Sequence, residues 1–376
     1  MTRLAAGEVG VWRLAAQGVL PRAGSAAEVV RRLGAVQAQD LRAAATAVAL
    51  RTAAGGDDLA RALEAGEVVR SWPMRGTLHL IGGDDLRRVL RLCAQRTVTA
   101  SARRRAELGI GDADLAVALR CAQELLTGTR GATRADLLAA FERAGQGTAA
   151  GRGYHLLFHL SATGVLCQGP LLGREQAFVL VEEWLPAAGA PGGPERAGDA
   201  GGAEDDEDDE DDEDVEEAAA RWAARYLRGH GPASAADFAG WTKLPLGRAR
   251  RAFAAVRGQF EAVEVDGVEH LVDPAVAGLV AAHRRALRGL HLLPGFDEFL
   301  LGYAHRGHVL AAEHAARVVP GGNGVFRGTL VSAGTVVGTW VREGDGIAAD
   351  WFAEPSAAQT AALERRAAAL PSGRLG

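Results

Sequence analysis

The sequence predicts an α+β protein built from one unit used three times: a helix, a short turn, a second helix, a third amphipathic helix and then a β-hairpin. Two observations carry this. Apolar residues recur with helical spacing in three separated blocks, and each block runs into short β-prone stretches divided by Gly-bearing turns. The first block uses residues 26–33, 40–51 and 59–65, with strands at 68–73 and 76–81. The second uses 112–126, 133–144 and 152–163, with strands at 164–168 and 177–181. The third uses 216–228, 234–242 and 246–256, with strands at 260–265 and 268–272. Helix–turn–helix followed by a hairpin is the winged-helix pattern, and three copies in tandem suit a long partner.

Local chemistry supports each start. In Gly131-Ala132-Thr133-Arg134-Ala135-Asp136 and Pro232-Ala233-Ser234-Ala235-Ala236-Asp237 a hydroxyl residue precedes an Asp in the first helical turn. The hydroxyl caps exposed N–H groups, and the carboxylate suits the positive end of the helix dipole. Beyond the third unit, a helix near 281–287 leads into the apolar run Leu292–Tyr303, a hairpin over 325–331 and 335–342 across Ser332-Ala333-Gly334, and a closing helix over 355–370. The organisation expected is a first winged-helix unit at 1–110, a second at 111–186, a disordered acidic loop at 187–217, a third unit at 218–280 and a C-terminal β-rich region at 281–376.

Charge is unevenly distributed. The formal net charge of −5 includes thirteen acids between Glu204 and Glu217, interrupted only by Val215. Setting them aside leaves 34 acids against 42 basic residues, a net of +8. A basic body is compatible with a polyanionic partner. An Arg-rich composition alone also gives Arg-rich surfaces. The tract 187–217 begins Pro/Gly/Ala-rich and ends acidic, so it buries too little to offset its ordering entropy. It serves either as a spacer or as a DNA mimic competing for the basic surface.

Three cysteines, Cys93, Cys121 and Cys167, are odd in number and widely spaced, which points to reduced thiols rather than bridges. No apolar run reaches membrane-spanning length, and the first residues lack a signal-peptide core. The expectation is a cytoplasmic, nucleoid-associated monomer without cofactor.

Two segments carry chemistry. Val36-Gln37-Ala38-Gln39-Asp40 places two amides at i, i+2 before a helix. In a helix those positions diverge, whereas in an extended segment they face one side. An amide both donates and accepts hydrogen bonds, so it can orient a water, but it does not take a proton at neutral pH. The alternative is that both merely flank the helix start. Asp40 is a helix cap, with a general base or electrostatic partner as the second option. Trp72-Pro73-Met74-Arg75-Gly76-Thr77-Leu78-His79 follows some thirty residues later. Arg75 at its turn suits a phosphate, and Thr77 and His79 alternate on one strand face. Trp72 reads as core.

Together these two segments resemble the AlkZ-type winged-helix DNA glycosylases, most strongly over residues 30–85 and more loosely over most of the chain. The resemblance implies Gln37 and Gln39 as the catalytic residues; Asp40 and His79, read from their positions beside the pair and on the hairpin, are the auxiliary candidates. It also implies a C-shaped channel for double-stranded DNA, release of bulky cationic N7-alkylpurines, and unhooking of interstrand crosslinks. Members of this kind often give self-resistance to a DNA-alkylating natural product of azinomycin type. Lys243 is the single lysine, so a Schiff-base strand cleavage has only it or the terminal amine to use, and a monofunctional enzyme is expected.

Further candidate DNA contacts are Arg75, Thr77, the helix arginines Arg248, Arg250 and Arg251, the loop pair His305 and Arg306, and the Ser332–Gly334 hairpin tip as a probe of the duplex. Arg103–Arg105 and Arg284–Arg285 are further basic runs. His305 and His308 have a metal-like spacing but no accompanying ligand set, so no metal is expected. The competing reading is a non-catalytic winged-helix regulator that binds DNA.

Overall fold

The computed structural model describes residues 2–55, 57–185, 207–344 and 346–375, and the side chains of these except 207–214. It is an α+β structure that divides into two compact units, one of residues 1–59 and 219–375, the other of residues 60–218 and 376. Residues 1–110, expected as one winged-helix unit, therefore contribute to both.

In the second unit, Thr77–Gly82 pairs antiparallel with Val68–Met74, which meets Leu166–Leu172, which pairs with Glu175–Leu180. Helices Asp112–Leu126, Arg134–Arg143 and Arg152–Ala162 accompany this sheet. Thr133 caps as expected: its hydroxyl accepts the Asp136 N–H at 3.2 Å, while Asp136 accepts the Thr133 N–H at 3.0 Å. Trp72 is core, packed edge-on against Tyr154 and Phe158 with ring centroids 6.1 Å apart in each pair. The helices Gly83–Val89, Gln95–Ala100 and Ala102–Glu107 follow the first hairpin.

The first unit starts with the helix Ala6–Ala16, packed against Ala275–Leu287. Its core runs through Val9, Leu14, Val263, Val272, Val280, Leu293, Phe299 and Val331. Helices Ala235–Thr242 and Leu246–Val256 precede the hairpin Glu261–Val265/Val268–Val272, to which the short Thr2–Arg3 adds in parallel. The C-terminal region is a four-stranded antiparallel sheet ordered Gly346–Trp351, Thr335–Glu343, Gly328–Ser332, Leu290–Leu293. Helix Ala357–Ala368 covers it through Ala362, Leu363 and Ala367 against Leu290, Leu292 and Trp340.

Two expectations change. Of the acidic tract, residues 187–206 lie outside the described residues, but from Glu207 the chain is helical through to His230. Acids suit the first turns of a helix, and this helix is anchored by buried Ala219, Trp222, Ala223, Tyr226 and Leu227. The Ser332–Gly334 tip is not a projecting probe. Gly334 is buried, and its carbonyl lies so close to Gly10 that a Cβ there would sit 1.9 Å from the oxygen. Two glycines let the hairpin tip and the helix Ala6–Ala16 meet backbone to backbone, which removes Gly334 from any duplex. Ser332 itself is half-buried beside it.

Candidate active site

Gln37 ends the strand Ala35–Gln37, and Gln39 lies two residues on, at the bend before helix Leu41–Arg51. The strand Ala35–Gln37 and the bend after it separate two helices. Gly34 makes that possible: it follows helix Ala26–Leu33 at φ +73°, and a Cβ there would stand 3.2 Å from Trp222 and 3.3 Å from Trp241. Asp40 is the helix cap, accepting the Ala43 N–H at 3.0 Å. Gln37 is 9% exposed, whereas Gln39 and Asp40 face solvent.

Behind Gln37 is a buried polar layer. The Gln37 backbone N–H donates to Glu298 Oε1 at 3.3 Å. Glu298 Oε2 accepts the Trp241 indole N–H at 2.9 Å and lies 3.4 Å from His230 Nε2. His230 stacks on Tyr226, with centroids 4.5 Å apart. Next to Glu298, Asp297 takes a two-pronged bond from Arg51 at 2.8 and 2.7 Å, and Arg51 also donates to Gln17. Tyr303 donates to the His230 carbonyl, and burial pushes its phenol well up.

Arg75, Thr77 and His79 belong to the other unit. Arg75 (φ 58°) and Gly76 (φ 67°) form the two-residue hairpin turn between Met74 and Thr77, both left-handed as such a turn requires. Arg75 Nη2 lies 2.8 Å from His79 Nε2, and His79 Nδ1 lies 2.8 Å from the Thr77 carbonyl. Arginine only donates and a carbonyl only accepts. The ring is thereby set as the Nδ1–H tautomer, donating to Thr77 and accepting from Arg75. His79 is fully buried, so it orients Arg75.

A family model described as DNA glycosylase AlkZ-like matches residues 30–372. The chain belongs to this family. An interstrand DNA cross-link repair glycosylase of Streptomyces sahachiroi is 29% identical over 357 residues, spanning 89% of this chain and 86% of that one. The solved structure of Streptomyces sahachiroi DNA glycosylase AlkZ matches with a TM-score of 0.75 at 26% identity, covering 100% of this chain and 99% of that one.

In this AlkZ-like chain the remaining candidates are scattered. Arg250 and Arg251 are exposed and Arg248 half-buried on helix Leu246–Val256, whose other face buries Ala249, Ala252 and Phe253. His305 is exposed, its backbone N–H bonded to Asp237 at 3.1 Å. Arg306 donates through Nε to the Leu300 carbonyl at 2.8 Å, which ties it into its own loop. His305 and His308 rings are 4.8 Å apart, and burial lowers the His308 pKa. Among the described residues no three His, Cys, Asp or Glu side chains are placed to hold a metal ion. Among them, too, no helix is long and apolar enough to cross a membrane.

Glu298, Asp297, Arg51, Trp241 and His230 escaped the sequence reading. One signal was present: two adjacent acids inside the apolar run Leu292–Tyr303. Carboxylates in such a run are buried, and buried carboxylates need partners.

Proposed function

We propose that this member of the AlkZ-like family is a monofunctional DNA glycosylase that releases bulky, cationic N7-alkylpurines and unhooks interstrand crosslinks. The observation that carries the reading is that Gln37 closes the short strand Ala35–Gln37 and Gln39 stands at the bend that follows it, open to solvent. The two amides orient a water toward C1′. Water oxygen bonds to C1′ as the C1′–N9 bond breaks, the bonding pair neutralises the purinium, and the water's proton passes to solvent. A positively charged purine needs no acid to leave, so a site of neutral amides favours damaged over intact bases; the charge on the sugar resembles that of glycoside hydrolysis.

Family membership and the cross-link repair glycosylase of Streptomyces sahachiroi support this chemistry. The recurring order of three helices and a hairpin supports winged-helix units along an open DNA channel, with Arg75 and Thr77 of the hairpin turn and Arg248, Arg250, Arg251 and His305 on phosphates. A producer of an azinomycin-type alkylator would gain self-protection. Lys243, the only lysine, caps helix Ala235–Thr242 and takes no part.

The test is release of free base from duplex bearing N7-methylguanine or a crosslink. Gln37→Ala and Gln39→Ala should each slow single-turnover release by roughly 10²-fold, as loss of one preorganised hydrogen-bonding group does. No borohydride-trapped adduct should form. Tight binding by the wild-type protein with no base released would instead identify a DNA-binding regulator.

A further inference from the structure

Glu298 is an acceptor-only group when ionised, sits at 1% exposure, and lies in the apolar run whose role the amide chemistry leaves unexplained. Burying a carboxylate costs several kcal/mol unless donors surround it. A buried apolar side chain would fill the same volume without that cost. Here the donors include the backbone N–H of Gln37 on Oε1 and the indole N–H of Trp241 on Oε2, with His230 Nε2 3.4 Å from the latter. Glu298 is itself held: helix Glu298–Leu301 is capped by Asp297, which accepts the Phe299 N–H at 2.9 Å and is clamped by Arg51. The clamp starts at Arg51, the last residue of helix Leu41–Arg51, and ends on Asp297, the residue before Glu298.

We infer that Glu298 is the positioning residue for Gln37: its carboxylate fixes the backbone from which the Gln37 amide is aimed, and Trp241 holds that carboxylate in place. The inference rests on the glycosylase reading and adds a residue that touches neither water nor sugar. Aim matters steeply, because a misplacement of about 1 Å in a reacting array costs on the order of 10²-fold in rate.

Glu298→Gln keeps length and volume but turns one acceptor oxygen into an NH₂ that faces a donor. The measurement is single-turnover release of N7-methylguanine at saturating protein, beside the Kd for the same duplex and the thermal midpoint. The expected result is a rate at least about tenfold lower with Kd within about twofold and a folded protein, since the loss falls on aim rather than on binding. A purely structural role would move the midpoint and leave the rate of the folded fraction alone. A folded Glu298→Gln protein with the wild-type rate overturns the inference. Where that variant does not fold, Trp241→Phe decides: it removes one donor and keeps a large ring, and a folded variant at full rate is equally fatal, while a loss of about threefold or more supports the role. Wild-type protein that releases no base sinks the glycosylase reading, and the positioning role falls with it; wild-type release with unimpaired variants sinks the positioning role alone.

Discussion

Replacing Arg51 by Met tests the buried clamp beside the candidate site. The guanidinium donates to both oxygens of Asp297 at 2.8 and 2.7 Å, to Gln17 Oε1 at 3.0 Å and, through Nε, to the Gln17 carbonyl at 3.1 Å. The two side chains of the pair are 1% and 3% exposed, so solvent cannot take over these bonds. Methionine fills much of the volume but leaves Asp297 charged, buried and without its cation. Removing one partner of such a pair costs about 3–5 kcal/mol. Urea unfolding followed by far-UV circular dichroism, fitted for the transition of the unit containing residues 1–59 and 219–375, reads this directly. The second arm is Arg51→Met with Asp297→Asn. Removing the stranded charge should return about 1–3 kcal/mol, since much of the single-variant loss is the penalty of an unpaired buried ion. A loss below about 1 kcal/mol for Arg51→Met would place the pair among surface-like ion pairs and refute the reasoning.

Three further outcomes follow from the same geometry. Gly34→Ala puts a methyl at φ +73° and 3.2 Å from Trp222; it should cost about 1–3 kcal/mol in urea unfolding and slow base release, because strand Ala35–Gln37 starts at the next residue. His291, buried and donating to the Leu287 carbonyl at 3.0 Å, has its pKa pushed down by burial to about 4. The unfolded chain therefore takes the proton first: stability is full above about pH 6.5 and falls as pH drops toward 4, by up to roughly 3 kcal/mol. His291→Gln should flatten that slope in unfolding midpoints measured across the window, and an unchanged slope would assign the pH dependence elsewhere. Burial pushes the thiols of Cys93 and Cys167 up to about 12, so a disulfide reagent at pH 8 should label the half-buried Cys121 in the native protein and all three cysteines in urea; native labelling of all three would contradict the packing.

Much of the local structure was legible in residue order because its causes are local. The cap at Ser234 needs only an Asp three residues on, and its hydroxyl accepts the Asp237 N–H at 3.2 Å. Asp40 as a cap and the Arg75–Gly76 turn follow in the same way, since each is decided within four residues. The non-helical setting of Gln37 and Gln39 was legible too, as the stretch between two helical patterns, but Gln37 alone lies in the strand and Gln39 falls at the bend after it. The acidic tract misled from Glu207 onward. Charge density argued against order there, but a helix is held by its apolar end, and Trp222, Tyr226 and Leu227 lie several turns downstream.

By itself the sequence determined the α+β class, the succession of helices and hairpins and the capped helix starts, because propensity, capping and turn geometry act over a few residues; the two amides stood out through the resemblance of their segment to the AlkZ-type family. Only the tertiary structure decided that Gln37 leans on Glu298 across 261 positions, that Arg51 and Asp297 meet across 246, and that the Ser332–Gly334 tip ends against Gly10 instead of reaching outward. Those pairings arise when buried charges must find partners and backbones must close-pack, and the chain order alone does not say which distant segment will supply them.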